Sequence, residues 1–193
     1  MCGFSSGVEM DLDWSIRVRS YADLPRGGDL GLVSPLNDGA LAALIDVTGH
    51  GLAAYSVAQT ARNTILGNTF LQPDKLLEEL HSTLWGTVGA AISLARIHYG
   101  FLDFVGVGNV RVLVGNRSLA AQPGIVGKRM RTPKLIRATF LRDTWLMMHT
   151  DGMSRPKSIP NGNAVTAANS LIDELASDYD DAGVLLLRWR NTV

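Results

Sequence analysis

Asp46-Val47-Thr48-Gly49-His50-Gly51 puts a carboxylate at the end of an apolar run, Leu41-Ala42-Ala43-Leu44-Ile45, and follows it with a glycine-spaced turn. Glycines lack a Cβ and accept positive φ, so such a backbone can close around an ion or a phosphate. A carboxylate at a buried strand end is costly unless a cation answers it. The same grammar recurs along the chain. Asp29 follows Gly27-Gly28, Asp151 follows the run Trp145–His149 and precedes Gly152, and Asp180-Asp181 stands immediately before the last apolar run. Oxygen-only donors at strand ends favour hard cations, Mg²⁺ or Mn²⁺, over zinc. A pair of such ions about 3.5–4 Å apart clamps a phosphoryl group and activates water. Gathered without cations, these carboxylates would repel one another. Taken singly, Asp151-Gly152 and Asp38-Gly39 are ordinary turn pairs. The ordered set, with one member inside a specific hexapeptide, carries the metal-site reading.

The surrounding sequence supplies elements to position these groups. Asp13 to Arg19 alternates, with Trp14, Ile16 and Val18 on one face, and predicts a half-buried strand. Pro25 to Gly28 reads as a turn. Gly31 to Pro35 and Ala40 to Asp46 are short apolar runs joined by Asn37-Asp38-Gly39, a hairpin signal. Ala54, Val57, Ala58, Ala61 and Ile65 have the spacing of an amphipathic helix. Pro73 suits the first turn of a second helix, whose Leu77, Leu80 and Leu84 share a face. Beyond Trp85-Gly86, the runs Gly89 to Ile97, Phe101 to Val107 and Val110 to Gly115 predict a meander of antiparallel strands. Residues 116–143 are basic. Thr144 to His149 is another strand, Ala164 to Leu175 a third helix, and Ala182 to Trp189 a final buried strand. Two helices inside a strand-rich chain, with one late helix, predict an α+β layered sandwich.

The chain of 193 residues, 46% of them hydrophobic, fits one domain, residues 1–193, with a sizeable core. Its formal net charge of zero gives no bulk attraction to nucleic acid or to an anionic membrane, and neither is expected as a partner. Cys2 is the one cysteine, so neither a disulfide framework nor a cysteine zinc site is available, which fits a reducing cytoplasm. No apolar run reaches the ~18 residues of a transmembrane helix. Met1 to Asp13 carries acidic residues and no basic one, a poor signal peptide.

Gly27-Gly28-Asp29, the hexapeptide at Asp46, Thr150-Asp151-Gly152, and Asp180-Asp181 before a strand resemble, in this order, the PPM or type-2C serine/threonine phosphatases. Within them the chain is similar to the bacterial SpoIIE-like branch, and its compact length to that branch's stressosome feedback phosphatases. The resemblance spans nearly the whole chain, from Asp13 to Arg190. It implies a four-layer α/β/β/α sandwich of two antiparallel sheets flanked by helices. It implies two Mn²⁺ or Mg²⁺ ions in a cleft at one end. By the family pattern Asp46 bridges both ions and the Val47 carbonyl ligates one. Asp151 and the Asp180-Asp181 pair hold the other, with Asp180 favoured over Asp181 as the direct ligand. Asp29 acts mainly through water. Asp46, Asp29 and Asp151 are thus the catalytic set, and no organic cofactor is implied.

The implied reaction is in-line attack of water on phosphoserine or phosphothreonine, without a phosphoenzyme. The implied substrates are phosphorylated STAS-domain proteins of a stressosome, its scaffold and sensor subunits, whose dephosphorylation resets stress signalling. Two alternatives stand beside this: a phosphatase of an anti-anti-sigma factor, and a catalytically silent phosphoprotein-binding pseudophosphatase. The chain also departs from the family. Thr48 stands where many relatives have a histidine proposed as general acid. His50 lies two residues on, at an expected helix N-terminus whose dipole opposes a protonated imidazole, so packing or hydrogen bonding is its expected role. Met153-Ser154-Arg155 follow Asp151-Gly152, where an acidic residue is often found.

Other features have plainer readings. Arg26 is expected to be a solvated turn arginine, with a phosphate contact as the alternative. The basic stretch 117–142 reads as a solvated face, or as a dock for an acidic phosphoprotein. His149 is expected to support the site or the core rather than ligate. Trp14, Trp85, Trp145 and Trp189 are expected to pack the core, and Cys2 to be a plain terminal cysteine.

Overall fold

The computed structural model describes residues 3–9 by their backbone, and residues 12–21 and 26–190 in full. Cys2 and the Pro25 end of the expected turn lie outside the described residues. The elements run β1 (Gly3–Glu9), β2 (Leu12–Arg19), β3 (Leu30–Leu36), β4 (Gly39–Val47), α1 (Gly51–Gly67) and α2 (Pro73–Thr83). There follow β5 (Ala90–His98), β6 (Gly100–Val107), β7 (Arg111–Val114), β8 (Arg117–Leu119), β9 (Ile136–Phe140), β10 (Leu146–His149), α3 (Ala164–Leu175) and β11 (Ala182–Trp189). One sheet has the order β1-β2-β11-β10-β7-β8 and the other β3-β4-β5-β6-β9. Every strand pairing is antiparallel.

Alternation along the central strands builds the layers, because successive side chains leave a strand on opposite faces. In β4, Ala40, Ala42 and Leu44 enter the core between the sheets, where they meet Phe104, Leu185 and Leu187. Leu41, Ala43, Ile45 and Val47 face the other way, under α1 and α2, with Ala54, Ala58, Ile65 and Leu77. A third core joins α3 to the first sheet through Met147, Val184 and Leu186 against Ala168, Leu171 and Ile172. The result is the expected α/β/β/α sandwich. It also fixes the site: Asp46 is the next residue after Leu44 on the inner face of β4. Thr150 continues the inner face of Leu146 and Met148, and Gly183 shares that of Leu185. The polar groups gather where the inner faces of both sheets run out of apolar residues.

Several expectations are corrected. β2 is covered on both faces, since α3 packs over the side carrying Asp13 and Ser15, both buried. Asp13 is answered there by Arg188 at 3.0 Å, by Arg190 at 3.1 Å, and by the Ala164 N–H at the start of α3 at 3.2 Å. The expected meander divides: β5 pairs with β6, but β7 crosses to the other sheet beside β10, and β9 takes the place beside β6. Trp85 is 67% exposed, with its ring edge-on to His81, while Trp14, Trp145 and Trp189 are half-buried and pack as expected. Among the described residues no helix is long and apolar enough to cross a membrane.

Candidate active site

A cleft of about 480 Å³ opens at the end of the sandwich, lined by Asp46, Asp151, Asp180, Thr48, Gly49 and Asn109 among others. The backbone closes it through its glycines. Gly49 and Gly51 adopt φ of +88° and +76°, which lets the chain turn from β4 into α1 with no side chain in the way. Gly28 lies against the end of β4, where a Cβ would stand 3.0 Å from the Val47 carbonyl oxygen. The Val47 carbonyl thus sits at the junction of the Gly27-Gly28-Asp29 turn and the hexapeptide.

Asp46 and Asp151 make direct side-chain contact, and Asp180 lies in the same cleft. Asp151 also accepts a hydrogen bond from Asn109 Nδ2 at 2.6 Å. Asp29 is set deeper, 8% exposed, and accepts the Thr150 hydroxyl at 2.7 Å. That hydroxyl in turn accepts the Gly183 N–H at 2.8 Å, so Thr150 ties Asp29 to β11. Asp181 turns away from the cleft lining. Its two carboxylate oxygens accept the Tyr21 N–H at 2.6 Å and the Gly28 N–H at 2.5 Å, which staples the turn carrying Asp29. Asp180 is exposed and, among the described residues, accepts only its neighbour's N–H, at 2.8 Å.

Charge accumulates here without compensation. Among the described residues none of Asp29, Asp46, Asp151, Asp180 and Asp181 has an ion-pair partner. Burial, then the charges of Asp151 and Asp180, push the Asp46 carboxyl from 3.8 up to about 7. Burial, then Asp46, raise Asp29 well above its ordinary value, against the hydrogen bond from Thr150. This donor set fits a hard divalent cation: the side chains are carboxylates, no cysteine or histidine lines the cleft among the described residues, and a cation removes both costs at once. Among the described residues no group of three acidic, histidine or cysteine side chains is by itself gathered tightly enough to hold an ion. Carbonyl and water oxygens must complete any coordination, as Mg²⁺ commonly requires.

The four layers can be placed among known structures. A chain of the bacterial stressosome, a modular system that has been adapted to control secondary messenger signaling, superposes with a TM-score of 0.87 at 22% identity, covering 92% of this chain and 99% of that one. RsbX in complex with magnesium gives a TM-score of 0.86 at 18% identity, with 97% of this chain and 100% of RsbX covered. The catalytic domain of the serine threonine protein phosphatase PstP, in complex with 2 manganese ions, gives 0.73 at 15% identity over 93% and 99%. This chain has the PPM phosphatase fold. No protein-family model and no curated protein sequence matches it.

Within the PPM fold, His50 stands outside the cleft lining. It is exposed at the N-cap of α1, makes no capping bond, and lies against the Tyr21 ring at 5.1 Å. Arg26 is exposed, with its guanidinium 4.9 Å above the Tyr55 ring. His149 is fully buried, with Nδ1 3.0 Å from the Thr150 carbonyl oxygen. Burial lowers its pKa, and the charges of Arg111 and Arg155 lower it further against that hydrogen bond.

The sequence assigned no role to two residues of the site: Asn109 was not singled out, and Thr150 appeared only as the first residue of Thr150-Asp151-Gly152. The available signal was position: Thr150 immediately follows β10 and precedes Asp151, and Asn109 lies in the short turn between β6 and β7. Thr150→Val keeps the shape but removes both hydrogen bonds of the hydroxyl inside the core. It is expected to cost about 1–3 kcal/mol, or a fall of ~3–10 °C in Tm for a domain of this size. Thr150→Ser should restore most of it. Thermal melts in chelator check this, and a melt unchanged by Thr150→Val would remove the link to Asp29.

Proposed function

We propose that this chain is a cytoplasmic, metal-dependent protein phosphatase of one domain, hydrolysing phosphoserine or phosphothreonine, with phosphorylated STAS-domain proteins of a stressosome as substrates. The observation that carries the reading is the meeting of Asp46, Asp151 and Asp180, uncompensated by any basic residue among the described residues, in the end cleft of a PPM fold. The likeness to RsbX and to a stressosome chain supports the substrate class, and the ions in RsbX and PstP support Mg²⁺ or Mn²⁺.

On this reading two ions, when bound, supply neutralisation of phosphoryl charge and activation of water. Asp46 and the Val47 carbonyl would hold ions on one side of the cleft, and Asp151 and Asp180 on the other. Asp181 is already committed to backbone N–H groups, which favours Asp180 as the direct donor. Asp29, fixed by Thr150, sits behind Asp46 and orients water. Asn109 holds Asp151 in place. Thr48 lines the cleft and carries no group able to act as an acid near neutral pH, so the leaving serine oxygen takes its proton from water.

Phosphate release from phosphoserine peptides tests this, measured with Mn²⁺, with Mg²⁺ and with excess chelator. Release is expected with either ion and its loss with chelator. Release that survives chelation overturns the metal mechanism. No release from any phosphopeptide while Mn²⁺ remains bound overturns the enzyme reading in favour of a phosphoprotein-binding module.

A further inference from the structure

Two basic hollows adjoin the acidic cleft. Across Gly108 and Asn109 lies a hollow of about 220 Å³ that Arg111 and Arg155 line together with His149. Across Pro123, Gly124 and Ile125 lies another, of about 500 Å³, lined by Arg129 and Arg131. Each hollow shares those wall residues with the cleft itself. All four guanidinium groups belong to exposed residues, and none has an ion-pair partner among the described residues.

Several arginines away from the cleft have carboxylate partners. Arg137 pairs with Asp103 at 2.8 Å, Arg188 and Arg190 with Asp13, Arg19 with Asp178 at 3.1 Å, and Arg96 with Asp38 at 3.6 Å. In a chain of zero formal net charge, arginines without partners beside the cleft are matched by carboxylates without partners inside it. If ions satisfy the carboxylates, the flanking arginines remain for a ligand. His149 adds a second sign in the first hollow: its Nε2 is buried and has no hydrogen-bond partner.

We propose that the two adjoining hollows take acidic side chains of the phosphoprotein that lie near the phosphorylated residue in the cleft. This rests on the phosphatase reading and narrows its substrate to a phosphosite in acidic surroundings. The charges fit: guanidinium groups recognise carboxylates through paired N–H donors. A nucleic acid would want aromatic stacking platforms. Apart from the buried His149, neither hollow has an aromatic ring in its lining.

The test compares two phosphoserine peptides of equal length, one with glutamate and one with glutamine at the flanking positions. They are given with Mn²⁺ to the wild type and to two double variants, Arg111→Ala with Arg155→Ala, and Arg129→Ala with Arg131→Ala. The wild type should favour the glutamate peptide about tenfold in kcat/KM, mainly through KM, and less at high salt. Each double variant should lose part of that ratio, about threefold. Turnover of both peptides with no glutamate preference, or a preference that both variants keep, overturns the inference and leaves the phosphatase reading standing. If the wild type turns over neither peptide, the phosphatase reading falls. Fluorescence anisotropy of the same labelled peptides, then stable, still decides the inference: tighter glutamate-peptide binding that the variants lose upholds it, and equal binding overturns it.

Discussion

Asp46→Asn should abolish phosphoserine hydrolysis, by ~10³-fold or more, and should at the same time make the metal-free protein more stable. Both effects follow from one cause. Asp46 is the carboxylate at the centre of the acidic cluster, with its pKa pushed up to about 7 by burial and by the charges around it. In the folded chain it holds a proton to about pH 7, against 3.8 when unfolded, so the folded state binds more protons between those values. Metal-free stability therefore falls as pH rises from about 4 through about 7. Asparagine keeps the shape and removes the charge. The gain at pH 8 is expected to be ~1–3 kcal/mol, seen as ~3–10 °C in Tm. The same substitution removes a carboxylate donor, so added Mn²⁺ should raise the Tm of the wild type and leave that of the variant nearly unmoved. Melts in chelator across pH 4–8, with and without Mn²⁺, read all of this. A variant that melts lower than wild type in chelator at pH 8 contradicts the electrostatic account, and one that keeps its Mn²⁺ response contradicts the donor role.

The sequence was most legible where one physical rule acts alone. β11 runs Ala182–Trp189, and α3 Ala164–Leu175, as their apolar spacing predicts, because each element is packed along its length by that spacing. The hairpin of β3 and β4 followed from Asn37-Asp38-Gly39, where Gly39 takes φ +151° and a Cβ would collide with the Ile97 carbonyl. β9 was hidden because Arg137 dominates the reading of a basic stretch. Yet Ala138 and Phe140 are buried while Arg137 and Thr139 face out, an alternation that only pairing with β6 makes visible. The crossing of β7 between sheets was illegible for a related reason: local apolar spacing marks a strand but does not name its neighbour. Trp85 shows the limit of hydrophobicity as a guide to burial. It follows α2, whose Leu76, Leu77, Leu80 and the adjoining Leu84 fill that core, while its own indole lies outside, edge-on to His81. Of the acidic set, sequence order brought out the members but not their division of labour, because that depends on which backbone N–H groups lie within reach after folding.

Asp180 and Asp181 are adjacent in sequence and should behave as opposites. Asp181 is 4% exposed, and its carboxylate accepts the Tyr21 and Gly28 N–H groups. Gly27 leaves room for it: a Cβ there would sit 2.7 Å from Asp181 Oδ1. Asp181→Ala strands both donors, and charged acceptors of this kind make the loss expensive, about 2–4 kcal/mol, or a Tm lower by ~5–15 °C. The turn carrying Asp29 should loosen with it. Asp180 is exposed in the cleft and raises Asp46 by repulsion. Asp180→Ala should therefore leave the chelated protein as stable as wild type, or slightly more so, while removing much of the Mn²⁺-induced rise in Tm and of the phosphatase activity. The two measurements separate the roles, since a structural loss appears in chelator and a donor loss only when the ion is added. If Asp181→Ala melts like wild type in chelator but no longer responds to Mn²⁺, and Asp180→Ala responds in full, the assignment is reversed. The hydrogen bonds to Tyr21 and Gly28 would then be secondary to an ion at Asp181.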